Sequence, residues 1–349
     1  MTPADFAPTL LAWFDRHGRK DLPWQHPRTP YRVWISEIML QQTQVSTVIP
    51  YFERFVTRFA HVRDLAAAPL DEVLRLWAGL GYYARARHLH RAAVEIVERH
   101  GGELPAELPA LTALPGIGRS TAGAILSLGF GRPAPILDGN VKRLWCRLHH
   151  IDTWPGEAAT QRRLWRLSET HLPTRRAADY TQALMDFGAT VCTRTRPRCG
   201  DCPFESCCQA RQAGAETRLP ASRPRRVLPR RSACWLILRD DRQRIYLERR
   251  PPVGLWAGLW SFPEWPDSEA LRRDCRRYGL RSESLTPLPP RHHAFTHFRL
   301  CYRPVLADVN HIDRCHDREG AWHTLPEALA LALPTPVKQL VAELGEGAC

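Results

Sequence analysis

The run Leu114-Pro115-Gly116-Ile117-Gly118-Arg119-Ser120-Thr121-Ala122-Gly123-Ala124 constrains this chain more than any other stretch. Pro-Gly-x-Gly reads as a tight hairpin between helices, in which two glycines let the backbone come close to another surface. The helix that opens after it begins with free N–H groups and a positive dipole end, which suits a phosphate. Ile125, Leu126 and Leu128 then carry that helix into a core. An ordinary helix-turn-helix corner would have the same pattern, so the flanking sequence has to decide.

The 349 residues are enough for two domains, each with its own core. A hydrophobic content of 44% and a charged content of 24% suit a soluble globular chain. The formal net charge of +13 favours an anionic partner, nucleic acid first, although a generally basic, arginine-rich proteome would produce it too. No stretch of about 18 apolar residues exists, so no membrane span is expected. Residues 1–20 carry Asp5, Asp15, Arg16, Arg19 and Lys20 in an amphipathic pattern unlike a signal peptide.

Apolar periodicity predicts helices over 5–17, 30–40, 46–59, 70–78, 84–100, 107–113, 119–128, 139–149, 157–170 and 175–190. Thr29-Pro30 supplies an N-cap and a first-turn proline for the second of these. Residues 1–215 therefore read as mostly α, with the helical hairpin at about 107–128. Between Arg218 and Arg231 stand six arginines and three prolines with no acid, so 216–231 is expected to be an exposed basic linker. Residues 232–345 turn strand-like. Cys234–Leu238, a turn at Asp240-Asp241 and Ile245–Leu247 predict a hairpin, and Phe295–Tyr302 another strand. Helices near 268–278 and 325–344 make this part α+β.

Eleven cysteines without a secretory signal argue for metal binding or free thiols. Cys192, Cys199, Cys202 and Cys208 form C-x6-C-x2-C-x5-C, a loop at 192–208. Four thiolates in one short loop suit a [4Fe–4S] cluster, and zinc is the rival. Arg194, Arg196 and Arg198 lie in the same loop, placed for phosphates. Cys146 and Cys234 read as small buried hydrophobes.

Glu37 lies among Val33, Trp34, Ile38 and Leu40, where a carboxyl tends to have a raised pKa and can serve as a general acid, or else pairs at the surface with Arg32 or Lys20. Asp138, in Ile136-Leu137-Asp138-Gly139-Asn140-Val141-Lys142-Arg143, suits an N-cap and also a fixed carboxylate beside developing positive charge. One protonated and one ionised carboxyl is the general solution to glycosidic cleavage. Gly79-Leu80-Gly81-Tyr82-Tyr83-Ala84-Arg85-Ala86-Arg87 offers flexible glycines, aromatics and arginines, as a wedge into a base stack with phosphate contacts would need; a capped helix start with core tyrosines is the plainer reading.

Ser36-Glu37-Ile38-Met39-Leu40-Gln41-Gln42-Thr43-Gln44-Val45 closely resembles the catalytic segment of the A/G-specific adenine DNA glycosylases, the MutY family. Pro115–Ser120 resembles the helix-hairpin-helix DNA clamp of that superfamily, with Asp138 at its aspartate's spacing. The cysteine spacing matches the iron–sulfur loop of endonuclease III-like glycosylases, which selects Cys208 over Cys207 and one [4Fe–4S] cluster over zinc. Arg250–Pro263 resembles the family's Nudix-like C-terminal domain. Asp267–Tyr278 is arginine-rich where a Nudix hydrolase has glutamate pairs, so nucleotide hydrolysis is not expected. Phe295-Thr296-His297-Phe298 matches the loop that probes the oxidised guanine, with Thr296 where the family commonly has serine.

The resemblance implies removal of adenine from double-stranded DNA where it faces 8-oxoguanine or guanine. It gives Glu37 the role of acid and Asp138 that of stabilising the sugar cation. Tyr82 and Asn140 are expected to line the site and Ser120 to position sugar or water. Gln42, Leu80, Tyr82, Arg85, Arg87, Gly116, Gly118, Arg119, Lys142, Thr296 and His297 are the expected DNA contacts. Bifunctional relatives carry a lysine where Ser120 stands. Serine cannot form an imine, so a monofunctional hydrolase is implied. The other readings are a glycosylase/lyase for oxidised pyrimidines and a non-catalytic DNA-binding module. A monomer in a bacterial cytoplasm, nucleoid-associated and without a membrane partner, completes the expectation.

Overall fold

A computed structural model describes residues 3–223, 227–275, 280, 284–295, 297–309 and 319–346. The chain divides into two compact units, Met1–Ala68 with Arg87–Pro224 and Pro69–Ala86 with Arg225–Cys349. The second unit thus includes a segment from within the span that the helical pattern assigns to the first domain.

The helices are α1 (Pro3–His17), α2 (Pro30–Leu40), α3 (Val45–Arg58), α4 (Val62–Ala67), α5 (Leu70–Trp77), α6 (Ala84–His100), α7 (Leu108–Ala113), α8 (Arg119–Ala124), α9 (Gly139–Leu148), α10 (Ala158–Thr170), α11 (Ala177–Thr190) and α12 (Gln209–Gln212). Except for α5 and the start of α6 they form the first unit. The expected helices stand near their predicted bounds. The short α4 and α12 are additional, since six and four residues give too little period to read.

Local chemistry explains where the site-bearing helices start. Thr29 caps α2 by accepting the Arg32 N–H at 3.2 Å, and Pro30 fills the position whose N–H needs no partner. Asp138 caps α9 by accepting the Val141 N–H at 2.8 Å. Phe6 of α1 stacks on Phe204 of the cysteine loop at 4.8 Å and meets Trp145 of α9 at 4.9 Å. Phe187 of α11 meets the same Phe204 edge-on at 5.5 Å, so the loop is held by an aromatic core. The expected linker does not begin at 216. Leu219 is buried and its carbonyl accepts Arg147 Nε at 2.9 Å, so 216–223 pack on the first unit.

The second unit is a mixed sheet of β1 (Arg230–Asp240), β2 (Ile245–Arg249), β3 (Trp260–Ser261), β4 (Glu264–Trp265), β5 (Thr286–Pro287), β6 (Arg291–Ala294), β7 (Arg299–Val309) and β8 (Gly320–His323). Its axis is the parallel β1–β7 pair, in register from Arg230↔Arg299 to Asp240↔Val309. The β1–β2 turn closes as Asp240 Oδ1 accepts the N–H groups of Arg242 and Arg244 at 3.1 and 2.7 Å. One sheet face buries Trp235, Ile237 and Tyr302 with Val337 and Leu340; the other buries Leu236, Leu238 and Tyr246 with Leu271.

Three elements differ from expectation. Phe295 N donates to Phe298 O at 2.9 Å, and the strand begins only at Arg299. The long C-terminal helix is two, α14 (Leu325–Ala330) and α15 (Thr335–Glu346), parted where Pro334 removes a donor. α13 covers Ser268–Asp274 behind an Asp267 cap, and 276–278 of the predicted helix lie outside the described residues.

Candidate active site

α8 and the run 134–137 make the frame of the first unit's site. Ser120 Oγ accepts the Leu137 N–H at 3.0 Å. A Cβ on Gly123 would lie 2.3 Å from the Pro135 carbonyl oxygen, so only glycine admits that run. Ser127 Oγ donates to Ala134 O at 3.0 Å and accepts Ala134 N at 3.2 Å. Positions 120, 123 and 127 share one helical face, so the hairpin helix fixes the backbone that ends at Asp138. Ser120 therefore holds the main chain one residue before the aspartate.

The Asp138 carboxyl is tied on both oxygens, Oδ1 by Val141 N and Oδ2 by Asn140 Nδ2 at 3.2 Å. Burial raises its pKa, against the Val141 N–H, the Arg143 charge and the Asn140 bonds, which favour the anion. Glu37 lies on α2 between buried Ser36 and Ile38. Burial first, and the Asp138 charge second, push its pKa up to about 8. Glu37 thus holds its proton at neutral pH within reach of the Asp138 charge, and Asp138 is anchored by donors. Such a pair can protonate a leaving group and face a cationic centre.

Gly116 adopts φ +79° and its α-carbon faces the His88 side chain; a Cβ there would lie 2.8 Å from His88 Cβ. Gly118, at the cap of α8, has open space where its Cβ would be. Arg119 lies over the Trp165 ring at 4.0 Å and pairs with Glu169, so its guanidinium is engaged on α10. Gln42 is exposed at φ 58° in the turn after α2, and Arg87 and Lys142 are half-buried.

Cys192, Cys199, Cys202 and Cys208 line one cavity, together with Arg147 and Phe204. Cys207 instead turns its thiol to Phe204 O at 3.3 Å. Burial pushes the Cys202 thiol up to about 12, and the three other sulfurs add to the rise. Four such groups ionise together only against strong positive charge, which is the donor set a cluster needs. Arg147 Nη1 donates to Cys192 Sγ at 3.3 Å. Among the described residues no three metal-binding side chains stand close enough to hold a single ion.

Arg143 is the residue that sequence reasoning missed. It is 8% exposed and gives Nε to Cys192 O at 2.7 Å and Nη2 to Asn140 Oδ1 at 2.9 Å and Gly188 O at 2.6 Å. Its spacing from Asn140, one turn along α9, is the only hint in the sequence.

In the second unit Tyr82 is 47% exposed at φ 48°, between Gly79 at φ 105° and Gly81 at φ 70° on one side and α6 on the other. Leu80, another of the expected DNA contacts, is only 6% exposed and is not presented as Tyr82 is. Arg85 is also corrected. It is buried and donates to Leu80 O at 3.2 Å and Gly81 O at 3.3 Å, with its pKa pushed down to about 10 by burial. It shapes the loop and is not free for phosphate. His297 is exposed, its ring 4.8 Å from Phe298. Thr296 lies outside the described residues.

Residues 35–170 match the family model for the HhH-GPD superfamily base excision DNA repair protein, and 234–343 match a NUDIX domain. The chain is 34% identical to an adenine DNA glycosylase of Buchnera aphidicola (Baizongia pistaciae) over 99% of its length and 98% of the relative's. It is 37% identical to an adenine DNA glycosylase of Homo sapiens, over 85% of this chain and 66% of that one. The structure of a thermostable thymine-DNA glycosylase aligns at 28% identity and a TM-score of 0.54, covering 60% of this chain and 97% of that one. With its helical hairpin unit and Nudix-like second unit, the chain belongs to the adenine DNA glycosylase family of helix-hairpin-helix base-excision repair proteins.

Proposed function

We propose that this protein hydrolyses the N-glycosidic bond of adenine that faces 8-oxoguanine or guanine in double-stranded DNA, leaving an abasic site. The observation that carries the reading is the pairing of Glu37, with its pKa pushed up to about 8, with an Asp138 carboxyl held by two donors. The family and its curated adenine glycosylases support the substrate.

The adenine is flipped out of the stack, and the Glu37 carboxyl gives its proton to N7 of the base. The C1′–N9 bond breaks with its electron pair leaving on adenine, and the Asp138 carboxylate faces the positive charge on the sugar. Glu37, now ionised, takes a proton from water as its oxygen bonds to C1′. Asn140 keeps Asp138 in place, and Ser120 keeps the backbone before it. Position 120 offers a hydroxyl and no amine, which favours hydrolysis without strand cleavage.

Gly116 and Gly118 approach the DNA backbone, with Arg87 and Lys142 near phosphates. Gln42 and Tyr82 reach the stack, and Thr296 and His297 read the opposite base. Cys192, Cys199, Cys202 and Cys208 hold one [4Fe–4S] cluster, which when bound orders the loop carrying Arg194 and Arg196 and supplies a redox centre. We place it as a monomer working on nucleoid DNA in the cytoplasm; of this, the bacterial relatives support the cytoplasm alone.

Single-turnover base release from a duplex with one adenine opposite 8-oxoguanine tests this, developed with and without alkali. Breaks that require alkali, present for wild type and absent for Glu37→Gln, are expected. Breaks without alkali point to a lyase; no release from a DNA-binding preparation points to a non-catalytic module.

A further inference from the structure

The segment 69–86 falls inside the span matched by the repair-domain model, yet it packs as part of the second unit. Among the described residues, contacts at Asp71, Leu74 and Tyr83 help to hold it within that unit. The Asp71 carboxylate, in the first turn of α5, pairs with Arg249 at the end of β2. Leu74 of α5 lies against Gly258, whose Cβ would stand 3.8 Å from Leu74 Cδ1. Tyr83 is buried, and its hydroxyl donates to Leu333 O, between α14 and α15, at 3.1 Å.

The Tyr83 hydroxyl has a second bond, accepting the Gly79 N–H at 3.4 Å. Gly79 opens the turn that ends on Tyr82, and three of its four residues have positive φ. A non-glycine residue held at positive φ persists only where its surroundings over-determine it. Trp77 Nε1, donating to Gly81 O at 3.1 Å, and Arg85 fix the middle of the turn. The Tyr83 hydroxyl ties its first residue to Leu333 of the Nudix-like body, the same body that carries His297 and Phe298.

We propose that Tyr83 is a positioning residue: through its hydroxyl the Nudix-like unit sets the Gly79–Tyr82 turn, so that reading of the opposite base is passed to the Tyr82 wedge. This rests on the proposed adenine glycosylase activity. Contact with 8-oxoguanine at 295–298 then favours the wedge-competent turn, and a plain guanine, which engages that loop less, gains less from it.

The test uses the full-length protein and Tyr83→Phe, which keeps the ring and removes both bonds. Amide exchange of the 78–83 segment without DNA is expected to quicken about two- to tenfold, the range one net hydrogen bond supports, with 139–148 unchanged. The ratio of adenine release opposite 8-oxoguanine to release opposite guanine is expected to fall about threefold or more, against a similar upper range. Unchanged exchange, or equal losses on both substrates, overturns the proposal. Arg249→Gln, which loosens α5 without touching the tyrosine, should move both readouts the same way by less; a change in global stability alone counts against it. If wild type releases no adenine the functional reading fails, and the exchange measurement still decides whether Tyr83 holds the turn.

Discussion

Arg143 Nε donates to the main-chain carbonyl of Cys192 at 2.7 Å, and the same guanidinium reaches Asn140, which in turn donates to Asp138. The first cysteine of the loop and the candidate catalytic carboxylate are thus joined through one planar group with fixed donor directions. Lysine could serve one acceptor from that position and not all three. Arg143→Lys is expected to slow single-turnover base release by roughly 10- to 100-fold, as loss of charge-assisted bonds worth ~1.5–3 kcal/mol implies. The same variant should make the 193–207 loop more open to trypsin. Arg194→Ala, an exposed change in that loop, should weaken DNA binding and flatten its salt dependence while leaving the chemical step alone.

Asp138 has two duties that a single substitution separates. Asparagine caps a helix about as well as aspartate, so Asp138→Asn keeps the bond to Val141, gives up the Asn140 bond and lowers stability by ~1.5 kcal/mol or less. It removes the charge facing the sugar, and a loss of ~100-fold or more in single-turnover rate is expected. A variant whose activity fell only in proportion to its stability would show the residue to be a cap and little more.

The pH dependence follows from the pair. Base release needs Glu37 protonated, so the rate should fall as pH rises through about 8, and fall again at acid pH as Asp138 takes up a proton. Stability moves with the same group. A carboxyl whose pKa rises on folding from 4.5 to about 8 costs nothing below 4.5, and its cost grows with pH until it ionises near 8. Glu37→Gln should therefore be more stable than wild type at pH 9 and no different at pH 4. The gain is a few kcal/mol at most, since that rise corresponds to ~5 kcal/mol before water screens the charge. Denaturant midpoints of the two proteins across pH 4–9 measure it.

Much of the first unit was legible because its helices are long and amphipathic and its chemistry sits at helix starts. Thr29-Pro30 and Asp138 announce α2 and α9 through capping alone. What stayed hidden is tertiary. Nothing local distinguishes Arg143, buried among carbonyls, from the exposed Arg194, because both are single arginines near polar neighbours. Arg85 reads as a phosphate ligand until its guanidinium is seen closing the Gly79–Tyr82 turn from inside. The assignment of 69–86 to the second unit likewise rests on Tyr83 and Asp71 finding partners about 250 and 178 residues away, which no periodicity can report. The parallel β1–β7 pair has the same cause, since the two strands that meet are far apart in sequence.

Two glycines of the hairpin helix separate folding from DNA contact. At Gly123 a methyl group would meet the Pro135 carbonyl oxygen at 2.3 Å and Ile136 at 3.4 Å. Neither backbone can retreat without breaking the Ser120 and Ser127 bonds that flank it, so Gly123→Ala should cost ~1–3 kcal/mol and displace Asp138. At Gly118 nothing lies within 4 Å of the added methyl and φ is −86°, which any residue adopts. Gly118→Ala should therefore fold with stability within ~1 kcal/mol of wild type, the change a cap position allows. Its methyl would stand at the open end of α8, where the free N–H groups face outward. Affinity for undamaged duplex should fall for Gly118→Ala and hold for Gly123→Ala assayed below its unfolding midpoint. Equal affinity losses in both variants would show that the hairpin acts as structure and not as the DNA clamp.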